Sequence, residues 1–274
     1  MEDCYHKRID KYSAEYELIN LEIADRADSA YKYHIGGAVV ETQEHKDDTE
    51  IWTLKFPYGG TVLHNLRYCS CKDTIKKVLR NMDNVMEGLI LFHHSDLYHC
   101  DVKSSNILYD KDYHVRLIDF GTAQQLPITE VDPVYTNIYT IWPFETHMVS
   151  GSNDDIFSNY VFGEYIDEPY FQTVRSFHRL DVSELNSNII NLRRHFYGEP
   201  VELHKEIVRR MDVYGLGISL SHILSSSYVR TALSESCYRQ LKQIVRKMIE
   251  PYTLKRIDLP DALTEWRAVW TNIA

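Results

Sequence analysis

Apolar residues recur at helical spacing from near the start of the chain. Between residues 9 and 24, Tyr12, Tyr16, Ile19 and Ile23 lie four, three and four apart, which predicts an amphipathic helix buried along that stripe. Residues 31–42 and 50–56 have strand character and flank the charged run Glu44-His45-Lys46-Asp47-Asp48, so they predict a hairpin. Pro57-Tyr58-Gly59-Gly60 then punctuates the chain. Ile75, Val78, Leu79, Met82, Val85, Met86 and Leu89 trace a stripe that predicts one helix over 74–93, with Asp73 as its N-cap. Residues 97–110 and 113–121 read as a tight loop flanked by short strands, and 122–145 is low in hydrophobicity. A helix is expected near 182–196 and another leading into Arg210; residues 213–224 are apolar nearly all round, as in a buried helix. The last forty or so residues predict two or three more helices. This order predicts an α+β fold of two lobes meeting near residues 57–60: a reduced N-terminal lobe (1–58, one helix and two strands) and a mainly helical lobe (59–274).

Composition narrows the class without naming it. With 44% hydrophobic and 26% charged residues in 274, the chain reads as an ordinary globular protein with room for two lobes and a cleft. No long apolar run predicts a transmembrane helix, and the opening MEDCYHKRID lacks a signal-peptide core, so no membrane partner is expected. The formal charge of −10 argues against a generic nucleic-acid binder. Five cysteines, at 4, 69, 71, 100 and 237, include no zinc-knuckle spacing, which suggests reduced thiols in the cytoplasm or nucleus. The 13 histidines are scattered without ligand spacing, so no structural metal site is expected.

Chemistry is concentrated in two segments. His99-Cys100-Asp101-Val102-Lys103-Ser104-Ser105-Asn106 is followed, thirteen residues after Asn106, by Asp119-Phe120-Gly121. Both segments resemble signature motifs of eukaryotic-type protein kinases, and the phosphoryl transfer this resemblance implies asks a protein mainly to position groups and neutralise charge. One carboxylate, Asp101, is placed to receive a hydroxyl proton. A second carboxylate and an amide, Asp119 and Asn106, suit a magnesium ion, and Lys103 can reach a transferring phosphate as a point charge. In its histidine, aspartate and asparagine the first segment resembles the catalytic loop of eukaryotic-type protein kinases, and the second resembles their metal-binding triplet. Pro143-Phe144-Glu145 is similar to the motif closing the activation segment, and Asp212-Val213-Tyr214-Gly215-Leu216-Gly217 to the start of the central helix whose aspartate braces the loop. The resemblance implies a bilobal kinase-like fold, ATP and Mg2+ as cofactors, a protein substrate or a partner kinase, and contact between Glu145 and Arg256. It also implies Leu108 as the floor of the adenine pocket and backbone near Leu54–Tyr58 as its edge. Lys103 is the type found in Ser/Thr kinases.

The departures from the family are as informative. Cys100 stands where many members carry an arginine that reads activation-segment phosphate, so this chain looks like one not switched on that way. Thr136, Tyr139 and Thr140 fall in the activation segment. No Gly-rich loop and no strand lysine precede the first helix in the aligned pattern, so the first three strands are expected to be absent, with Glu15 or Glu17 at the helix glutamate. Lys7, Arg8, Lys11 or Lys32 could substitute for the lost lysine, but each is expected to be a solvated surface charge. More than sixty residues separate Glu145 from Asp212, against a short connection in the family, which implies an insertion at about 146–205. Two readings remain open: an active Ser/Thr kinase, or a non-catalytic kinase mimic that binds a partner; a start internal to a longer chain is a third. The loose closure and compact small lobe are similar in style to kinases of large DNA viruses, with host cytoplasm or nucleus as the implied location.

Overall fold

The computed structural model describes residues 4–46, 49–127, 139–148, 159–196 and 199–271. A strand, β1 (Cys4–Asp10), runs directly into α1 (Lys11–Ala27), and Asp10 ends one and caps the other. Its carboxylate accepts from Ser13 N at 2.9 Å and Ser13 Oγ at 2.7 Å, satisfying an N–H that the first turn leaves without a partner. After a loop come β2 (Val39–Lys46) and β3 (Thr49–Pro57). The sheet is antiparallel in the order β1-β3-β2, with Lys7 opposite Leu54 and Tyr5 opposite Phe56. The N-terminal lobe thus has three strands, not the two expected. CYHKRID is mostly polar and half-exposed, so its apolar pattern gives no strand signal; pairing along β3 makes it one.

Two further expectations change here. The hairpin begins at Val39, because residues 33–35 bond instead to Leu117 of the larger lobe: Ile35 N donates to Leu117 O and Leu117 N to Tyr33 O, both at 2.9 Å. And α1 buries the opposite face from the one its apolar residues mark. Ala14, Glu17, Asn20, Leu21 and Ala24 are buried, whereas Tyr12 is 78% and Ile19 55% exposed.

The larger part opens with β4 (Thr61–Val62), α2 (Lys72–Arg80) and α3 (Asp83–His93). The stripe expected to form one helix is broken at Asn81–Met82, and α2 is capped at Cys71 with Asp73 in its first turn. The indole N–H of Trp266 donates to Leu79 O at 3.0 Å, taking the carbonyl that a continuous helix would offer to Asp83. Asn81 Nδ2 donates to Tyr113 O at 2.8 Å and anchors the turn. Then follow β5 (Leu97–Tyr98), β6 (Ile107–Tyr109), β7 (Val115–Leu117) and β8 (Gln124–Gln125), which pair as β4-β6-β7 and β5-β8.

The remainder is helical: α4 (Asn159–Asp167), α5 (Pro169–His178), α6 (Val182–His195), α7 (Pro200–Leu224), α8 (Ser227–Ala232), α9 (Glu235–Met248) and α10 (Leu259–Thr271). The apolar run 213–224 is the buried half of α7. One core joins α3, α7, α9, α10 and the small strands, and a second seats α4 and α5 against α7 around Phe144, Tyr165 and Tyr214. No helix among the described residues is long and apolar enough to cross a membrane.

Candidate active site

The loop between β5 and β6 is organised from below by Asp212 on α7. Its Oδ1 accepts from Cys100 N at 2.7 Å, and its Oδ2 from His99 N at 2.9 Å, with His93 Nε2 at 2.8 Å. Burial pushes this carboxyl's pKa up, but the His93 contact and the backbone donors outweigh it and hold it below the usual range. Gly215 lies one turn on; a side chain there would sit 2.7 Å from Val102 O, so the helix can approach the loop only as glycine. Cys100 adopts φ 59°, a conformation held because Asp212 takes its N–H and Trp142 Nε1 donates to its carbonyl at 2.6 Å. Its thiol is fully buried, and burial followed by the Asp212 charge pushes its pKa well up, so it is an inert filler.

Above this base the polar side chains converge. Lys103 Nζ donates to Asp101 Oδ2 at 2.7 Å, and Asn106 Nδ2 donates to the same oxygen at 2.9 Å and to Asp101 O at 3.1 Å. Asp101 Oδ1 accepts the hydroxyl of Tyr139 at 2.7 Å, and Lys103 Nζ donates to that phenol oxygen at 2.9 Å. Burial, then the Asp101 carboxylate, drives the phenol pKa upward, so Tyr139 holds its proton.

Asp119 follows β7 in a left-handed conformation (φ 68°). Its Oδ1 accepts from Lys7 Nζ at 2.8 Å, and the same ammonium donates to Glu17 Oε2 at 2.8 Å. Burial would lower the Lys7 pKa, but the two carboxylates raise it overall. Asp119 ends lowered, because Lys7 outweighs burial. Glu17 ends raised: it is the most deeply buried of the three and its Oε1 has no hydrogen-bond partner, so burial wins over Lys7. Phe120 is buried edge-on to Phe92 and beside the His99 ring. Asn20 Nδ2 donates to the carbonyls of Phe120 and Ala123, and Tyr16 donates to Ala123 O at 2.7 Å. The inward face of α1 thus carries Glu17 and Asn20 among its buried apolar residues, and through them it grips the segment carrying Asp119.

Lys7, Glu17, Asn106, Leu108 and Asp119 all line one cavity of about 310 Å³ between the two parts of the molecule, with Phe56 to Gly60 along one side. A hollow of about 340 Å³ adjoins it, lined by Lys103, Ser105, Tyr139, Glu168 and Tyr170. Residues 39–158 match the family described as the protein kinase domain. That match and the curated kinases below support membership of the protein kinase superfamily.

Curated kinases align at low identity. The serine/threonine-protein kinase dst4 of Dictyostelium discoideum is 26% identical over 111 residues, covering 40% of this chain and 21% of that protein. The mouse proto-oncogene serine/threonine-protein kinase mos is 29% identical over 96 residues (31% and 28%), and human cyclin-dependent kinase 9 is 29% identical over 86 residues (30% and 23%). The matched stretches thus span under a third of these relatives' lengths.

Within the kinase fold, the residues singled out by sequence divide clearly. Asp101, Lys103 and Asn106 form one cluster, Asp119 and Leu108 line the cavity, and Glu145 and Arg256 are a buried ion pair, with Arg256 also bonded to Glu250 O at 2.9 Å and Thr253 Oγ1 at 3.0 Å. Leu54 does not line the cavity; it is fully buried on β3 opposite Lys7, and Phe56, two residues on, lines the space instead. Lys7 is not the solvated charge expected. Arg8, Lys11 and Lys32 do pair at the surface, with Glu44, Glu50 and Glu87. Of the two helix glutamates, Glu17 is the buried one and Glu15 is exposed. A strand lysine is therefore present, on β1, outside the matched segment. Tyr139 was placed in the right segment but given no contact, while Thr136 lies outside the described residues.

Proposed function

We propose that this chain is a Ser/Thr protein kinase that transfers the γ-phosphate of ATP to a protein hydroxyl. The observation that carries the reading is the convergence on one cavity of Lys7 bridged to Glu17 and Asp119, beside the Asp101–Lys103–Asn106 cluster. Asp101 accepts the acceptor's proton, Lys103 offers a fixed positive charge to the moving phosphoryl group, and Lys7 holds phosphate oxygens in the cleft.

The residues present fit a magnesium ion. Asn106 makes its bonds through Nδ2 and Asp119 through Oδ1, which leaves an amide oxygen and a carboxylate oxygen as hard donors on the cavity wall. Bound there, the ion supplies charge neutralisation for the phosphates. The acceptor lies in the hollow beside Lys103 and Tyr139, and a protein is the substrate class that the family relationship favours.

Calorimetric titration of ATP with and without magnesium, on the wild type and Asp119→Asn, tests the reading. Wild-type binding is expected to tighten at least tenfold with magnesium and the variant's to respond little. Magnesium-independent binding in both proteins, or no binding to the wild type, contradicts it.

A further inference from the structure

Away from the cleft, the end of α5 meets α8 and α9 through cations and rings. Lys242 Nζ lies over the Phe177 ring, 4.1 Å from its centroid. Arg230 lies over Tyr238, with its guanidinium carbon 4.1 Å from that centroid. The two rings adjoin, their centroids 6.5 Å apart. Each cation thus rests on an aromatic face, which holds it in place without neutralising it. Arg179, two residues after Phe177, is exposed and ends α5 in the left-handed conformation (φ 55°).

The charges here do not balance. Arg230 pairs with Glu235, and Arg246 with Glu250 at 3.2 Å. Among the described residues, neither Lys242 nor Arg179 has a carboxylate partner. Asp181, the acid nearest Arg179 along the chain, caps α6 instead, accepting from Ser183 N at 2.7 Å and Ser183 Oγ at 2.8 Å. Burial, then the charges of Arg179 and Arg230, depress the Lys242 ammonium's pKa. The carbonyls at the end of α5 offset part of the Arg179 charge, but Lys242 sits in the middle of α9, where no helix end helps it. In a chain of formal charge −10, this is a local excess of positive charge with nothing in the fold to answer it.

We propose that Lys242, Arg179 and Arg230 form a docking site for the phosphoryl group of a phosphorylated protein segment. Guanidinium groups bind phosphate oxygens in pairs, and an ammonium adds a compact charge, so the set suits a dianion better than a single carboxylate. The rings of Phe177 and Tyr238 give the site an apolar rim for residues flanking the phosphate, which favours a peptide over a free ion. None of these residues lines the cleft, so the site goes beyond the phosphoryl-transfer reading and stands independently of it. It would recruit a protein that already carries a phosphate.

The test is a calorimetric titration of the full chain, Lys242→Met and Arg179→Gln. The probes are a glycine-flanked phosphoserine peptide, its serine twin, inorganic phosphate, and phosphatidylcholine vesicles carrying phosphatidylinositol phosphate. The wild type is expected to bind the phosphopeptide more tightly than any other probe, and each variant to weaken it roughly tenfold. Unliganded Lys242→Met is expected to melt no lower than the wild type, because the lysine is held against repulsion. Arg179 is exposed, so its variant tests the site without disturbing the core. Phosphopeptide affinity unchanged in both variants, or no better than that of the serine twin, overturns the proposal. So does inorganic phosphate or the vesicles binding as tightly as the phosphopeptide.

Discussion

Tyr139 puts a hydroxyl 2.7 Å from Asp101 Oδ1, the place that the proposed function assigns to a substrate hydroxyl. An acceptor therefore has to displace the phenol from Asp101 and from Lys103. Hydrogen bonds to charged groups contribute about 1.5–3 kcal/mol, so Tyr139→Phe is expected to lower the acceptor KM roughly tenfold with the ATP affinity unchanged. Steady-state kinetics with each substrate varied in turn measures this; an unchanged or raised acceptor KM contradicts it. At this scale the sequence was legible wherever function needs fixed spacing. Asp101, Asn106 and Asp119 lie within nineteen residues and announce themselves by order. Lys7 does not, because one of its partners is 112 residues away, and a lysine in a polar strand carries no pattern of its own.

Among the elements, α5 is joined to α7 through two histidines that burial keeps neutral. His178 Nε2 meets Ser221 Oγ at 2.9 Å, and His222 Nε2 meets Tyr170 O at 2.9 Å with its ring stacked on Tyr170. Burial, helped by nearby cations, depresses their pKa values to about 3 and about 4. In the unfolded chain both titrate near the ordinary value of about 6.5. Between about 6.5 and 4 the unfolded state binds protons that the folded state refuses, so acidification through that window destabilises the fold, by about 1–2 kcal/mol per histidine at about pH 5. Denaturant melts at stepped pH are expected to show this slope, and His178→Gln with His222→Gln to flatten it; an equal slope in the double variant contradicts the assignment. The elements themselves were readable where apolar content matched burial, as in the core half of α7. Periodicity misled at α1, where Glu17 and Asn20 must face the site and so the apolar stripe turns outward. It also missed the break before α3, which depends on Trp266, a residue 187 positions from the carbonyl it binds.

For the molecule as a whole, the two parts meet around one cleft, and the groups that face it come from both. Lys7 and Glu17 belong to the sheet-and-helix part, Asp101, Asn106 and Asp119 to the helical part, and the Lys7–Asp119 bond spans the two. The α+β architecture followed from element order; the charge clamp across the cleft did not, because it exists only once β1 pairs with β3. The most direct measurement is transfer of labelled phosphate from ATP, with magnesium, to a generic protein acceptor by the full chain, Asp101→Asn and Lys7→Met. The account predicts transfer by the wild type, a loss of about 100-fold or more in Asp101→Asn, and a comparable loss in Lys7→Met, with both variants still folded. Absence of transfer by a folded wild type, or equal transfer by Asp101→Asn, would contradict it.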